Sequence, residues 1–537
     1  MQQRLCGREQ EFGVWLDSKD PAGSKTTQAI IKMILKTIPD VWVETLGHNP
    51  MDVPNYPPSH PGPSAYCGEW LWCRSGWKIY EDQKLLEVAS AESLAGSLDA
   101  VAQEKAMERV LNRVIRRLRR QAAFSHLALY KKNVSLRYAE PQSAYRGPMG
   151  HGGYEGYPTN YSEEPAKVPA RKEEKEAINL ADEVSYGSHH NYSYLAKRQK
   201  RIFRLFRNFI PASLPLTGNG HILRVGKFKE RCLYVLSQRA AHINQIISAE
   251  GVLEGIGRAL INKRSRHYWG ADKRFGRLHL VSRDATRCEF QTWLVDAVTH
   301  LVLRLAEEGW NLPAKLQLRN PVATLHLLNQ SPDLNCRIST FSGRKDVIAY
   351  NQIFLKAARK LRPLSAMEKK ALEEWARVLE LLKARAWKKL VGELDWATKR
   401  FLIETKMKEQ GFGLDSLKAW HLDQEYHNIS SNPKESWFAR MDEAGLIRHL
   451  VTEKQIRRAM LHPPETRART RGDLIALCLR NKTLAKKLEF LDWDMAGIKI
   501  GKGTSYLYFG HPNNSFLPQK DPIEKLIKEL KKLKKSA

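Results

Sequence analysis

Long apolar runs are missing from this chain. No stretch approaches the ~18 consecutive apolar residues of a membrane-crossing helix, although hydrophobic residues make up 42% of the sequence. That balance points to a globular protein with no membrane partner. Cysteine is sparse and scattered, at positions 6, 67, 73, 232, 288, 336 and 478. No CxxC pair exists, which argues against a zinc ribbon or a redox dithiol. Dispersed thiols fit a reducing cytoplasm. Met1-Gln2-Gln3-Arg4-Leu5-Cys6 runs straight into the first motif without a signal-peptide core, so a cytoplasmic location is expected. The usual nucleotide signatures are also missing. There is no GxxxxGK[ST] loop, no GxGxxG opening a helix and no GxSxG elbow. Any nucleotide site must therefore be built without a P-loop. Acidic residues are in short supply: 58 Asp+Glu face 88 Lys+Arg, a net charge of +30. Such a field attracts polyanions. Nucleic acid, an acidic protein and ATP all satisfy it. No zinc finger, RNA-binding aromatic motif or KH loop speaks for nucleic acid, so that partner stays open but is not favoured.

Against this scarcity, the acids present are grouped. Gly7-Arg8-Glu9-Gln10-Glu11-Phe12-Gly13 places two carboxylates on one face of a strand, because alternate strand residues point the same way. Tyr80-Glu81-Asp82, Glu87 and Glu92 follow around two more short strands, at 77–82 and 86–89. Neighbouring strands built like this gather carboxylates into one pocket. Such a pocket repels itself unless a cation sits in it, and hard oxygen ligands suit Mg²⁺. On so basic a chain, a Mg²⁺ site suggests a nucleotide phosphate as ligand.

At 537 residues the chain exceeds one ordinary domain. The spacing predicts helices over 25–38, 93–121 and 365–388, the last opened by the capping box Ser365-Ala366-Met367-Glu368. Residues 48–66 read as a Pro/Gly-rich loop. Tyr, Gly, Lys and Glu dominate 137–182, which read as a mobile insertion. Asp521-Pro522 starts a terminal helix with an apolar stripe at Ile523, Leu526, Ile527, Leu530 and Leu533. The expected organisation is a large α+β domain over 1–425 and a small C-terminal domain over 426–537. Arg239 follows the apolar strand Leu233–Leu236, and Arg264 follows Ala259–Ile261. Arginine at a strand end suits phosphate, since guanidinium offers a rigid fork of donors. Arg277 and His279 sit on a further strand. Ser185–Tyr192 is a His/Asn/Tyr cluster of undecided role. Thr466-Arg467-Ala468-Arg469-Thr470-Arg471-Gly472-Asp473 reads as a basic loop.

Taken in order, these segments resemble the Pup ligase/depupylase family, a branch of the glutamine synthetase-like carboxylate–amine ligases. The matching pieces are GREQEFG (7–13), YEDQKLLEVASAE (80–92), SYGSHHNY (185–192), LSQRAAHI (236–243), RLHLVSRDA (277–285), ELDWATKR (393–400), LDQEYHN (422–428) and TRARTRGD (466–473). The resemblance implies a curved antiparallel sheet flanked by helices, with ATP and Mg²⁺ bound in its concave face. It implies Glu9, Tyr80 and Glu87 as the metal set, with Glu11 and Glu92 in support, and Asp82 as the catalytic aspartate. Arg239, Arg264, His279, Arg467 and Trp493 are implied near the nucleotide.

The expected reaction joins the C-terminal glutamate of an acidic Pup-like modifier to lysines of target proteins, through a γ-glutamyl phosphate. A functional link to a bacterial proteasome comes with that reading. ELDWATKR, SQRAAHI and TRARTRGD lean to the ligase branch. TTQAII (26–31) and the loop 49–66 lean to the depupylase/deamidase branch. A nucleic-acid-binding relative without activity is the third reading. The chain departs from the family pattern at His190, where glutamate is expected, and at Leu85-Leu86, where His-Pro is expected. It also departs at 262–267, and at Arg283 and Thr286, which replace glycine and asparagine. These changes are expected to cost acids and add bases around the site.

Overall fold

The computed structural model describes residues 3–16, 27–46, 67–82, 85–121, 124, 126–132, 187–225, 231–248, 258–263, 274–500, 503–511 and 514–518. Arg264, the loop 48–66, the insertion 137–182 and the terminal stripe Ile523–Leu533 lie outside the described residues.

The first strand organises the fold. In chain order the strands are β1 (Leu5–Leu16), β2 (Cys67–Trp72), β3 (Lys78–Asp82), β4 (Leu85–Ala89), β5 (Ser93–Leu94), β6 (Leu127–Tyr130) and β7 (Ser188–Leu195). A hairpin of β8 (His221–Val225) and β9 (Arg231–Val235) precedes β10 (Ile243–Ser248), β11 (Arg258–Asn262) and β12 (Phe275–Arg283). The main sheet runs β10-β11-β12-β7-β1-β4-β3-β2, with β5 and β6 also on β1. Its pairs are antiparallel except β10 with β11, which are parallel. At 12 residues, β1 is long enough to pair β4 and β7 along its first part and β6 along its last.

One face of β1 is sealed by helices. Cys6 and Phe12 enter the main apolar core. Between them Arg8 donates to Glu104 at 2.7 Å and pairs with Asp296 at 3.0 Å. These acids stand on the helices Asp99–Gln121 and Glu289–Glu307, and every residue of the second is buried. Buried ion pairs of this kind orient more than they stabilise.

The expected helix over 93–121 starts at Asp99, because Ser93–Leu94 first pairs with β1. The helix expected over 25–38 spans Thr27–Leu46. The Ser365/Glu368 capping box is formed and opens Ala366–Lys383. The segment expected as a basic loop at 466–473 is instead the start of the helix Arg467–Arg480. Thr466 caps it, accepting from the Ala468 amide, while Leu474, Ile475 and Cys478 supply an apolar face. Gly472 fits there because a Cβ would meet the Arg74 carbonyl at 2.5 Å.

A ribbon of β13 (Arg337–Thr340) and β14 (Gly343–Asp346) is followed by a small sheet of β15 (Leu488–Leu491), β16 (Met495–Ile500) and β17 (Gly503–Tyr508). A second core gathers here: Trp72, Leu474, Ile475, Leu491, Ile498 and Phe509. Ile429, Val451, Ile456 and Met460 belong to the main core. The apolar packing thus changes hands well after residue 426. The two cores are joined by one carboxylate. Glu92 accepts from Arg467 at 2.9 Å and Arg471 at 2.5 Å, and its carbonyl accepts from the Thr466 hydroxyl at 2.7 Å.

Arg467 and Arg471 are 3% and 0% exposed. Glu92→Ala would remove the carboxylate that both guanidinia share, leaving Arg471 with the Trp493 and Gly76 carbonyls, and is expected to cost about 3–5 kcal/mol, with Glu92→Gln losing less. Urea denaturation checks this; an unchanged midpoint for Glu92→Ala would remove the joint from the stability argument.

Candidate active site

The other face of β1 presents Glu9 and Glu11. Register places Glu9 between Ala89 of β4 and His189 of β7, and Glu11 opposite Glu87. β3 sets Tyr80 opposite Glu87, and Asp82 two residues on along the same face. β12 sets His279 opposite Asn191, with Arg277 two residues before it. Five strands thus carry acids, bases and a phenol to one side of the sheet.

The basic half is tightly bonded. Oε1 of Glu9 accepts from Asn191 at 3.0 Å and Arg277 at 2.8 Å. Its Oε2 lies 3.1 Å from His189 Nδ1 and 3.7 Å from His279 Nε2. Arg239 is held along its length: its amide donates to Asp284 at 3.0 Å, Nε to the Val281 carbonyl at 2.8 Å and Nη1 to Glu11 at 3.1 Å. Its Nη2 lies 3.0 Å from His189 Nε2. A guanidinium can only donate, so His189 accepts at Nε2 and donates from Nδ1 to Glu9. Glu11 also accepts from the Gly187 amide at 2.6 Å. A Cβ on Gly187 would meet the Arg283 carbonyl at 2.7 Å and Arg239 Nη1 at 3.0 Å, so glycine lets β7 start against this arginine.

The two halves are electrostatically opposite. Burial alone would raise Glu9, but Arg277, His189 and His279 hold it well below the usual carboxylate range. Burial is likewise outweighed at Glu11 by Arg239 and His189. On the acidic half the compensation falls short. Burial, then Glu9, Asp82 and Glu11, push Glu87 well above the usual range. Burial, then Glu87, Glu9 and Asp82, push up the Tyr80 phenol. Asp82 is raised by burial, Glu11 and Glu9 against the opposing pull of its hydrogen bond with Glu87 and of His189. Crowded oxygens with raised protonation form the donor set that a hard divalent cation relieves, so Tyr80, Glu87 and the adjacent Glu9 fit Mg²⁺. Glu9, His189 and His279 also bring ligand atoms within 4.8 Å of one another.

Of the residues singled out by sequence, Glu9, Glu11, Tyr80, Asp82, Glu87, Arg239 and His279 share this face. Glu92, Arg467 and Trp493 gather instead at the joint between the cores. There the Arg471 guanidinium lies 4.8 Å from the Trp493 ring centre and 5.1 Å from that of Trp72. Glu92 is thus occupied by arginines and stands apart from the carboxylate group it was expected to support. The joint still touches β3: Lys78 lies 4.7 Å over the Tyr80 ring. Asp492, pushed up to about 7 by burial and Asp494, interacts with Lys78 and Arg467. His189, Asn191, Arg277 and Asp284 had no assigned role from sequence. The available signal was the same two-residue spacing, His189/Asn191 and Arg277/His279, that marks Glu9/Glu11.

One expectation is corrected. His190 and Arg283 do not alter the charge of this face: strand alternation turns His190 toward the helices, and a register shift between Leu280 and Arg283 turns Arg283 off the face that Arg277 and His279 share. His190 Nδ1 lies 3.3 Å from the Tyr192 hydroxyl, and burial, Arg8 and Arg283 push the ring well below its usual range. Arg283 donates to Ser213 at 3.0 Å, and burial pushes it down to about 10.

A sheet with a carboxylate-and-arginine face, flanked by helices and completed by a small β-containing unit, defines the class. The sequence model of the Pup-ligase protein family matches residues 4–137 and 179–496. The chain belongs to that family. Among curated relatives, the Pup deamidase/depupylase of Mycolicibacterium smegmatis is 30% identical over 326 residues, 59% of this chain and 62% of that protein. The Pup–protein ligase of Acidimicrobium ferrooxidans is 31% identical over 299 residues, 54% of this chain and 63% of that protein. The chain thus spans under two thirds of the length of these relatives. The solved complex of the prokaryotic ubiquitin-like protein Pup with its ligase PafA shares the fold. Its TM-score is 0.72 at 20% identity, covering 98% of this chain and 91% of that one. PafA in complex with ADP gives a TM-score of 0.65 at 21% identity, covering 86% and 89%.

The raised Glu87 makes a thermal test. Its folded value lies above the unfolded value near 4.5, so its share of stability is full below that pH and is lost as pH rises through the folded value. In chelator, Glu87→Gln should melt higher than the parent at neutral pH. Mg²⁺ should raise the Tm of the parent and leave the variant nearly unmoved. Equal Mg²⁺ responses in scanning calorimetry would detach Glu87 from metal binding.

Proposed function

We propose that this protein is an ATP-dependent carboxylate–amine ligase. It would join the C-terminal glutamate of an acidic Pup-like modifier to lysines of target proteins. One observation carries the reading: an acid-crowded half and an arginine-lined half meet at Glu9 and Glu11 on one sheet face. A metal–triphosphate needs both, side by side.

Tyr80 and Glu87, with Glu9 at the boundary, would hold Mg²⁺. The ion, when bound, offsets negative charge on the phosphates of ATP. Arg239 and Arg277 point into the same space and can steady the phosphoryl group as it passes to the modifier's γ-carboxylate. Glu11 and Glu9 fix where those two guanidinia start, so little reorganisation is needed. The incoming lysine, with a reference pKa of ~10.4, arrives protonated. Asp82 would take that proton, and its raised affinity for protons suits a base. Its hydrogen bond with Glu87 must loosen first, which ties proton transfer to cation binding at Glu87.

The electropositive chain suits an acidic, largely disordered modifier. A link to a bacterial proteasome belongs to the same proposal. The depupylase/deamidase reading is supported by the M. smegmatis relative at comparable identity. In it, Asp82 would attack the isopeptide carbonyl or activate water.

Asp82→Asn is expected to bind ATP like the parent and to lose conjugation by about 10²–10⁴-fold. The assay follows isopeptide formation and ADP release with Mg·ATP, a glutamate-ended Pup-like protein and a lysine acceptor. Normal turnover by the variant would exclude Asp82 as the base. Cleavage of a preformed conjugate by the parent, with no ADP released, would establish the depupylase reading.

A further inference from the structure

A second basic feature lies outside the carboxylate face. Along the helix Asp99–Gln121, Arg109, Arg113, Arg116 and Arg120 recur at intervals of four, three and four, so they share one side of the helix. They span roughly 16 Å at 1.5 Å per residue. The helix Glu453–Leu461 packs alongside and adds Arg457. The carboxylate beside them is Glu453, held by Arg109 through two bonds of 2.6 Å. Burial and the neighbouring Arg109, Arg116 and Arg457 push Arg113 below the usual arginine range. Among the described residues, Arg113 Nη1 is buried without a hydrogen-bond partner. Like charges held this close are a liability to the free protein that a polyanion would relieve.

Arg116 also borders a cleft of about 310 Å³ between this helix, β6 and residues 428–435. Asn112, Asn428, Ser430, Ser431 and Asn432 line it, over a floor that includes Ile115 and Leu129. Its one carboxylate, Glu435, is already taken by Arg119 at 2.9 Å and Ser430 at 2.8 Å. Ser431 and Asn432 are exposed at its rim; Asn432 donates to Glu435 at 3.3 Å and accepts from the Lys434 amide at 3.1 Å, bonds that a base edge would have to exchange.

We propose that this arginine face and the adjoining cleft bind single-stranded nucleic acid. Backbone phosphates would follow Arg113, Arg116 and Arg457, and one base would enter the cleft. Guanidinium forks match phosphate oxygens in pairs. Amides and hydroxyls beside an aliphatic floor suit a base edge and its flat face. An acidic peptide would use the arginines but leave a base-sized polar cleft empty. The net charge of +30 favours encounter with such a polyanion. The proposal is independent of the ligase reading, since it uses none of the residues on the carboxylate face.

Fluorescence anisotropy of the full chain with a labelled single-stranded RNA of about 12 nucleotides tests it across a salt series. The triple variant Arg113→Glu/Arg116→Glu/Arg457→Glu should bind at least about tenfold more weakly and show a salt slope shallower by about 2–3. A control, Arg337→Glu/Arg344→Glu on the β13–β14 ribbon, should bind like the parent. Ser431→Ala/Asn432→Ala should keep the slope and alter the preference among homopolymers. Undiminished binding by the triple variant, or an equal loss in the control, overturns the proposal. So does displacement of the RNA by a poly-glutamate peptide that binds the arginine face more tightly.

Discussion

Everything on the sheet depends on how β1 buries charge. Four consecutive polar residues, Arg8 to Glu11, sit in the middle of the main sheet. Neither face can leave them unpaired, because an isolated buried charge is far costlier than a paired one. Arg8 is answered from behind by Glu104 and Asp296. Glu9 and Glu11 are answered in front by Arg277 and Arg239. The strand therefore acts as a partition. It ties helices to the sheet on one side and fixes two arginines for an anionic ligand on the other.

This partition explains why the front is split into halves. Glu9 and Glu11 are neutralised by arginines that arrive from β12 and from the turn after β9. β3 and β4 bring Tyr80, Asp82 and Glu87, whose bases are fewer: Lys78 over the Tyr80 ring and His189 near Asp82. The charge imbalance is therefore local, confined to the side of β1 facing β4. A cation there and a polyanion on the β12 side would each complete the electrostatics of the half it occupies. Neither half could serve a metal–triphosphate alone.

Much of this was legible in the sequence, and the limit has a physical cause. Alternation in GREQEFG suffices to put Glu9 and Glu11 on one face, and Tyr80/Asp82 follow by the same rule. The same rule, applied to His189/Asn191 and Arg277/His279, would have named the basic half. What alternation cannot supply is register, since a slip of one residue turns a whole strand over. That is why His190 and Arg283 seemed to belong to the site: His190 alternates away from His189 and Asn191, and a register shift after Leu280 turns Arg283 off the face of Arg277 and His279. Glu92 was misplaced for a related reason. It lies beyond the end of β4, where the period of two no longer applies, and its partners come from residues more than 370 positions later in the chain.

The joint at Glu92 links the small unit to the acidic half through β3. Arg471 and Arg467 bind Glu92 on one side of the joint. Asp492 and Trp493 close on the other, with Lys78 between Asp492 and the Tyr80 ring. Lys78 and Tyr80 are two residues apart on the same short strand, so the joint borders the acidic half at Tyr80. Burial and Asp494 leave Asp492 near half-protonation at neutral pH, so its charge beside Lys78 and Arg467 is easily changed. A cation drawn to Tyr80 and Glu87 would thus sense the charges of the joint. This makes the small unit part of the site's environment even though its own core is separate.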